Sequence, residues 1–497
     1  MSGASTGTFI SFAVYLIFMM GIGWYFFNRT KNLSDYVLGG RGLNAWVTSL
    51  SAQASDMSGW LLLGLPGYAY LAGLEAGWIA FGLMIGTYLN WKFIARRLRK
   101  YTQIAGNSIT LPVFFENRFR DRSGILRVLS AVFIIIFFLL YTSSGFVAGA
   151  KLFNTVFNIP YIFALSIGVF VIIGYTFLGG FMAVSWTDFF QGMLMFFAII
   201  IIPILGVSAL GGFGQAVAKT KAINPELLNI FTSTGGERLK FIPVLSLFAW
   251  GFGYFGQPHI LARFMAISSS DKIKKARKIA MGWVTISLSA AVAVGIAGRA
   301  LLVKTPLSGT AESETVFMIL VSQLTTPLIG GILLAAILAA VMSTADSQLL
   351  VTSSAITEDL YRTVLKRKPG DKELVWVSRI SVILVAAIAF VIALNPESSV
   401  LELVAYAWAG FGATFGPVVI LSLFWKRMTT SGAIAGIFTG GITVLIWKNL
   451  SGGIFELYEI VPGFFLSAAA IVLASLLDKS PSLEIVEEFE AVKKSNI

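Results

Sequence analysis

An all-α membrane protein of about 13 transmembrane helices is the fold class this sequence predicts, and three observations predict it. The 497 residues are 56% hydrophobic and only 12% charged, about half the charged share of an ordinary soluble chain. Apolar stretches of roughly 20 residues recur along it, each long enough to cross a hydrocarbon core of about 30 Å as a helix. Two of these stretches are interrupted by Gly, Pro and hydroxyl residues at corresponding places in two blocks of five, a pattern that points to a mid-membrane site between inverted repeats.

The spans are expected at about 9–27, 43–71, 75–95, 127–150, 161–179, 188–209, 241–262, 279–300, 329–357, 375–394, 399–425, 431–449 and 456–477. The first, Phe9 to Phe27, reads as a retained helix, since no basic segment precedes it and no small-residue cleavage site follows. They divide the chain into one transmembrane domain, 1–478, followed by a cytoplasmic tail, 479–497. Within the domain lie an extra N-terminal span (9–27), a first five-helix repeat (43–209), a second (241–425) and two C-terminal spans (431–477).

The formal charge of +12 raises the question of nucleic acid, but the distribution of the basic residues excludes that partner. Of 37 Lys and Arg, 29 fall on one side of the assigned spans. By the positive-inside rule that side is cytoplasmic, which puts the N-terminus outside and the C-terminus inside and leaves the basic surface to membrane lipids. There is no cysteine, so the redox compartment stays unread. No Walker A pattern and no Cys/His cluster occurs, so ATP hydrolysis, enzymatic chemistry and an organic cofactor are not expected. The lone His259 is placed near the cytoplasmic end of span 7, with a structural or capping role set against a proton relay.

Span 2 carries Thr48-Ser-Leu-Ser-Ala-Gln-Ala-Ser-Asp-Met-Ser-Gly-Trp60, small and hydroxyl residues around one acid. A carboxylate at that depth costs about 2.5 to 3.5 kcal/mol even on the lenient insertion scale, so Asp56 needs compensation. No Lys or Arg falls mid-span in this assignment. Three readings stand open: a carboxylate facing a cation site or wet cavity, a protonated acid, or an acid paired with a misassigned residue. Ser55 and Ser58, with Gly59 loosening the backbone, favour the first, because a hard cation takes several oxygens and an unwound helix supplies carbonyls.

Span 7 repeats the pattern in Trp250-Gly-Phe-Gly-Tyr-Phe-Gly-Gln-Pro258, where glycine and proline free backbone groups. Trp250, Tyr254 and Pro258 recur every fourth residue and share one face; a kink made for packing is the plainer alternative. Span 9 contains Ala339-Ala-Val-Met-Ser-Thr-Ala-Asp-Ser347. Its Ser343 and Thr344 hydroxyls, near the Ala340 carbonyl, either bond back to their own helix or offer oxygens to a small cation.

Taken together, these segments resemble the sodium/solute symporter family. Ser55-Asp-Met-Ser-Gly-Trp-Leu-Leu62, Trp250 to Phe264, Ala339 to Thr344 and Ser353-Ser-Ala-Ile-Thr-Glu-Asp-Leu360 carry the likeness. Asp35-Tyr-Val-Leu-Gly-Gly-Arg41, Gly179 to Asp188 and Ala405-Tyr-Ala-Trp-Ala-Gly-Phe411 are similar to its proline-carrying bacterial branch. The resemblance implies a 5+5 inverted-repeat (LeuT-like) core in the bacterial cytoplasmic (inner) membrane and sodium-driven uptake of L-proline by alternating access. It also implies a sodium site from the carbonyls of Ala54, Met57 and Ala340 and the hydroxyls of Ser343 and Thr344, with Asp56, Ser55, Ser58 and Gly59 in coupling. Tyr141, Trp250, Tyr254 and Pro258 match its substrate positions, and Arg41 and Asp188, near the cytoplasmic mouth, match functionally sensitive ones.

Asp346 departs from the pattern, standing where relatives carry Ser; it either adds charge to the cytoplasmic sodium exit or is solvated there. Rival expectations are a sodium-coupled symporter for another small solute, a channel, or a transporter-like sensor. Polar residues clustered at mid-membrane disfavour the channel, and the lack of a signalling domain after span 13 disfavours the sensor.

Overall fold

The computed structural model describes residues 6–27, 37–178, 180–364 and 370–495. Asp35, Tyr36 and Gly179 of the motifs above, and Arg29, Lys31, Lys366, Arg367 and Lys368 among the basic residues, lie outside the described residues. Each of the thirteen expected segments carries helix: α1 (Thr6–Phe27), α2 (Ala45–Met57) continued as α3 (Gly64–Ala72), α4 (77–104), α6 (Ile125–Phe157), α7 (Tyr161–Leu178), α8 (Phe181–Ala209), α10 (Phe241–Phe248) continued as α11 (Pro258–Ala266), α12 (Ile273–Leu301), α15 (Pro327–Ser354), α16 (Asp371–Ile392), α17 (Val400–Phe424), α18 (Thr430–Trp447) and α19 (Ile460–Leu477). Ten helical stretches among the described residues are long and apolar enough to cross a membrane, and Tyr161–Gly174 and Phe241–Gly256 are shorter apolar helices.

Helices not expected from hydropathy fill the connections. They are α5 (Leu111–Phe119), α9 (Phe213–Ile223), the short pair α13 (Gly309–Ser313) and α14 (Val316–Leu324), and α20 (Leu483–Ser495). Two π-helical stretches, Asn90–Ile94 within α4 and Ala355–Tyr361 prolonging α15, also had no hydropathy signature.

Both predicted breaks are present. α2 ends at Ser58, whose φ of 48° and ψ of −170° no helix accepts; its hydroxyl accepts from the Trp60 N–H at 3.1 Å and starts the next turn. Pro66 lies in the first turn of α3, where its missing N–H is not needed. In span 7 the chain tightens to 3-10 geometry over Ala249–Gly256, is extended at Gln257, and resumes as α11 with Pro258 at its first position. The glycines of that segment serve contact: a Cβ on Gly251 would stand 2.3 Å from the Gly82 carbonyl oxygen, and one on Gly256 2.2 Å from that of Phe411. These contacts support the packing reading of span 7.

α15 and α17 form the centre. In the apolar stretch of each, 83% of residues are buried, against 33% for α1 and α19. A hydroxyl run on α15 consequently faces protein, and the broken segments pack beside it.

Candidate functional site

Where α2 stops, its last carbonyls run out of intrahelical donors, and hydroxyls of α15 take one of them. Ser343 Oγ donates to the Ala54 carbonyl at 2.9 Å and Thr344 Oγ1 lies 3.3 Å from the same oxygen. Ser343 Oγ also lies 3.2 Å from the Ala340 carbonyl. Four of the five expected sodium ligands thus meet in one buried cluster of neutral oxygens. Met57, the fifth, is the last residue of α2 and lines the adjacent cleft. Ser55 is oriented differently, its hydroxyl donating back to Ala52 at 3.2 Å. Gly59 lets the break close on α6 and α15, since a Cβ there would meet Ala148 at 2.8 Å and Val341 at 3.3 Å.

Asp56, one turn away, is held by two tyrosines. Tyr254 Oη donates to its Oδ2 at 2.7 Å, and Tyr141 Oη donates to its main-chain carbonyl at 3.0 Å. No cation accompanies Asp56 among the described residues, so the misassigned-partner reading does not hold. Trp250 lies between Trp60 (centroids 5.2 Å, planes 30°) and Tyr458 (5.7 Å, 29°), while the Trp408 indole donates to the Trp250 carbonyl at 2.7 Å. Asp56, Met57, Trp60, Tyr141, Trp250 and Tyr254 share one cleft of about 10 Å³, at the lower limit for one water. The Trp60 indole N–H is buried there with no acceptor. Pro258 is separate: it lines another small cavity with Asp359, Leu350 and Ala262.

Arg263 falls, by hydropathy, in the cytoplasmic loop after span 7. The sequence assignment ended span 7 at 262, but α11 continues to Ala266 and Arg263 is wholly buried. Its Nη2 meets Asp188 Oδ2 at 3.0 Å and Ser347 Oγ, and its Nε donates to Ser51 Oγ at 3.1 Å. Ser51 Oγ in turn donates to Asp188 at 2.7 Å. Ser347 Oγ lies 3.3 Å from Asp346 Oδ1 and donates to the Ser343 carbonyl at 2.8 Å, so this network reaches the oxygen cluster. Asp188 and Asp346 are both fully buried. The solvated reading of Asp346 is therefore wrong: helix α15 turns it into the protein interior beside Arg263. One oxygen of each acid, Asp188 Oδ1 and Asp346 Oδ2, has no hydrogen-bond partner.

Arg41, at a φ of 57°, closes the seam beneath. Its guanidinium donates to the Met265 carbonyl at 2.8 Å, the Ser108 carbonyl at 2.9 Å and Asn107 Oδ1 at 3.1 Å. Burial, with Arg99 nearby, lowers its pKa to about 10, leaving it cationic at neutral pH. Leu43 adds two backbone bonds to the end of α11, to Ala266 and Ser268. His259, expected near the cytoplasmic end of span 7, stands just after the break in that span. It is the second residue of α11, its ring packs against Phe138 and Tyr141, and neither ring nitrogen has a partner, so it caps nothing.

A profile of the sodium:solute symporter family matches residues 36–440. The chain belongs to that family. The sodium/proline symporter of Escherichia coli strain K12 is 50% identical over 488 residues, 98% of this chain and 96% of that one. The high-affinity proline transporter of Bacillus subtilis strain 168 is 49% identical over 471 residues, 95% and 98% of the two chains. A solved Na+-coupled sialic acid symporter, substrate-bound and outward-open, superposes with a TM-score of 0.81 at 20% identity over 96% of this chain and 99% of its own. The symporter fold expected from the interrupted spans is thus present. Arg263, in the buried Asp188 network, and Trp60 and Trp408, which line the aromatic cleft, were not among the candidate site residues of the sequence reading. Trp60 was within the quoted span 2 motif, and its place immediately after the glycine of the break was the available signal.

Proposed function

We propose that this chain is a secondary active transporter of the bacterial cytoplasmic membrane that couples inward sodium flow to uptake of L-proline by alternating access. The observation that carries the reading is the convergence of the Ala54 carbonyl with the Ser343 and Thr344 hydroxyls at the break of α2. Uncharged oxygens drawn from an unwound helix end and a neighbouring helix suit a small hard cation. In this reading Ala54, Met57 and Ala340 give carbonyls, Ser343 and Thr344 turn lone pairs to the ion, and Asp56 supplies negative charge beside them. Ser58 and Gly59 form the joint that binding orders. The two proline transporters of nearly full-length similarity support the substrate.

The aromatic cleft then receives the imino acid. The faces of Trp250, Tyr254 and Tyr141 suit a compact cationic ring, and the unpartnered Trp60 N–H suits its carboxylate. At about 10 Å³ the cleft admits proline only after the Trp60 and Trp250 rings part, so substrate entry and movement of the break are one event. Pro258 acts by starting α11, and Arg41, Asp188 and Asp346 belong to the cytoplasmic pathway. Thirteen spans, one at 9–27 and the rest arranged as 43–209, 241–425 and 431–477, with the N-terminus outside and the 479–497 tail inside, agree with the charge asymmetry. One charge moving through about 100 mV supplies roughly 2.3 kcal/mol, enough for about fifty-fold accumulation.

Purified protein in liposomes tests this. Labelled proline should accumulate under an inward sodium gradient and not when potassium replaces sodium. Ser343→Ala should raise the half-saturating sodium concentration about ten- to hundredfold, the worth of a hydrogen bond to a charged group. Accumulation of a different solute, or uptake driven equally by protons without sodium, would overturn the assignment.

A further inference from the structure

We propose that a groove between the first turns of α2 and α12 and the flank of α8 is a binding site for one anionic phospholipid. The groove has a volume of about 850 Å³, within the range of ligand sites. Its walls are aromatic, including Trp46, Trp186, Phe189 and Phe196, and its floor is Gly282 and Trp283. The floor is fixed: the Trp283 indole donates to the Gly192 carbonyl at 3.0 Å, and Phe196 stacks on its ring with centroids 6.2 Å apart. It is also open, since a Cβ on Gly282 would meet nothing within 4 Å.

One end of this apolar trough carries Lys272, Lys275 and Lys278. Cations in the first turns of a helix oppose its dipole, so helix stability does not account for them. Lys272 Nζ donates only to Ser268 Oγ at 2.9 Å, and no acidic partner is found for Lys275 or Lys278 among the described residues. The nearby Asp271 pairs with Arg96 at 3.5 Å instead. Residues 275, 278, 279 and 282 share one helix face, and with Lys272 just before the helix all three lysines line the same groove that Gly282 opens. From Lys272 to Gly282 the helix rises about 15 Å, half the thickness of a hydrocarbon core. A ligand that matches must have an anionic head and a hydrocarbon tail reaching about mid-leaflet. Membrane anionic lipid has that form, and three lysines should favour it over a zwitterionic lipid on the order of a hundredfold. The site lies outside the aromatic cleft and does not rest on which solute is carried.

Native mass spectrometry of the full chain, released from micelles holding equal phosphatidylglycerol and phosphatidylethanolamine, tests the proposal. The unmodified protein should retain one phosphatidylglycerol in preference. The K272Q/K275Q/K278Q variant should lose that preference, the corresponding triple arginine variant should keep it, and Gly282→Leu should lose the lipid with all three lysines in place. Equal retention of the two lipids, or unchanged phosphatidylglycerol on the glutamine variant, would overturn the site. Loss on the glutamine variant with Gly282→Leu unaffected would reduce it to headgroup attraction at the surface and overturn the groove.

Discussion

Arg263 ties together three elements that the sequence keeps far apart. Its guanidinium holds Asp188 on α8, Ser51 on α2 and Ser347 on α15, and nothing about it is solvated. Breaking a buried pair by removing one partner leaves an uncompensated charge and costs about 3 to 5 kcal/mol. Arg263→Met should therefore lower the thermal unfolding midpoint sharply, and adding Asp188→Asn should recover part of the loss; no recovery would mean that the pair is not the source. This residue was illegible in the sequence because the hydropathy window closed span 7 one residue before it, and its partner lies 75 positions away in the chain. Asp56, by contrast, stood out at once as a lone acid in an apolar span. Its tyrosine partners became visible only when α6 and the broken span 7 were brought against it.

At the scale of elements, the breaks were readable because Gly, Pro and Ser mark the backbone locally, whereas the helices that latch the bundle are too short for a hydropathy window. The α13–α14 connection shows what was lost. Glu314, between them, is wholly buried and receives Lys151 Nζ of α6 at 2.6 Å, Ser399 Oγ at 2.9 Å and the N–H groups of Val400 and Leu401 at 3.1 and 2.8 Å. The carboxylate thus caps the start of α17 and pins the connection to α6, while Gly67 of α3 packs against the Glu314 backbone. A cysteine at Val404, on the rim of the aromatic cleft, makes this latch measurable, because the chain has no other cysteine. Lys151→Met in that background should raise the rate of thiol labelling about tenfold or more, given the penalty of leaving Glu314 unpaired. An unchanged rate would show that the latch does not hold the cleft shut.

The whole molecule is closed at its far end by α20, which the sequence offered only as a tail. Phe489 is buried in the bundle, with the guanidinium carbons of Arg97 and Arg118 5.0 and 5.4 Å from its ring centre and Tyr101 packed beside it. The surrounding ion pairs, such as Arg120 with Glu484 at 3.7 Å, are exposed and contribute little. Phe489→Ala should thus release the helix, at a cost near the lower end of the 3 to 5 kcal/mol seen for buried Phe. Limited proteolysis should then cut 479–497 about a hundredfold faster while the bundle stays intact; an unchanged cleavage rate would place the anchor elsewhere. The tight seam of the broken span 7 has a different kind of consequence. With the backbone of Gly251 and Gly256 touching Gly82 on one flank and Phe411 on the other, even one added methyl is a wedge between helices. A lineage seeking a new solute is thus barred from reshaping this frame, and its accessible variation lies in the rings of Trp60, Trp250 and Trp408 that the frame presents.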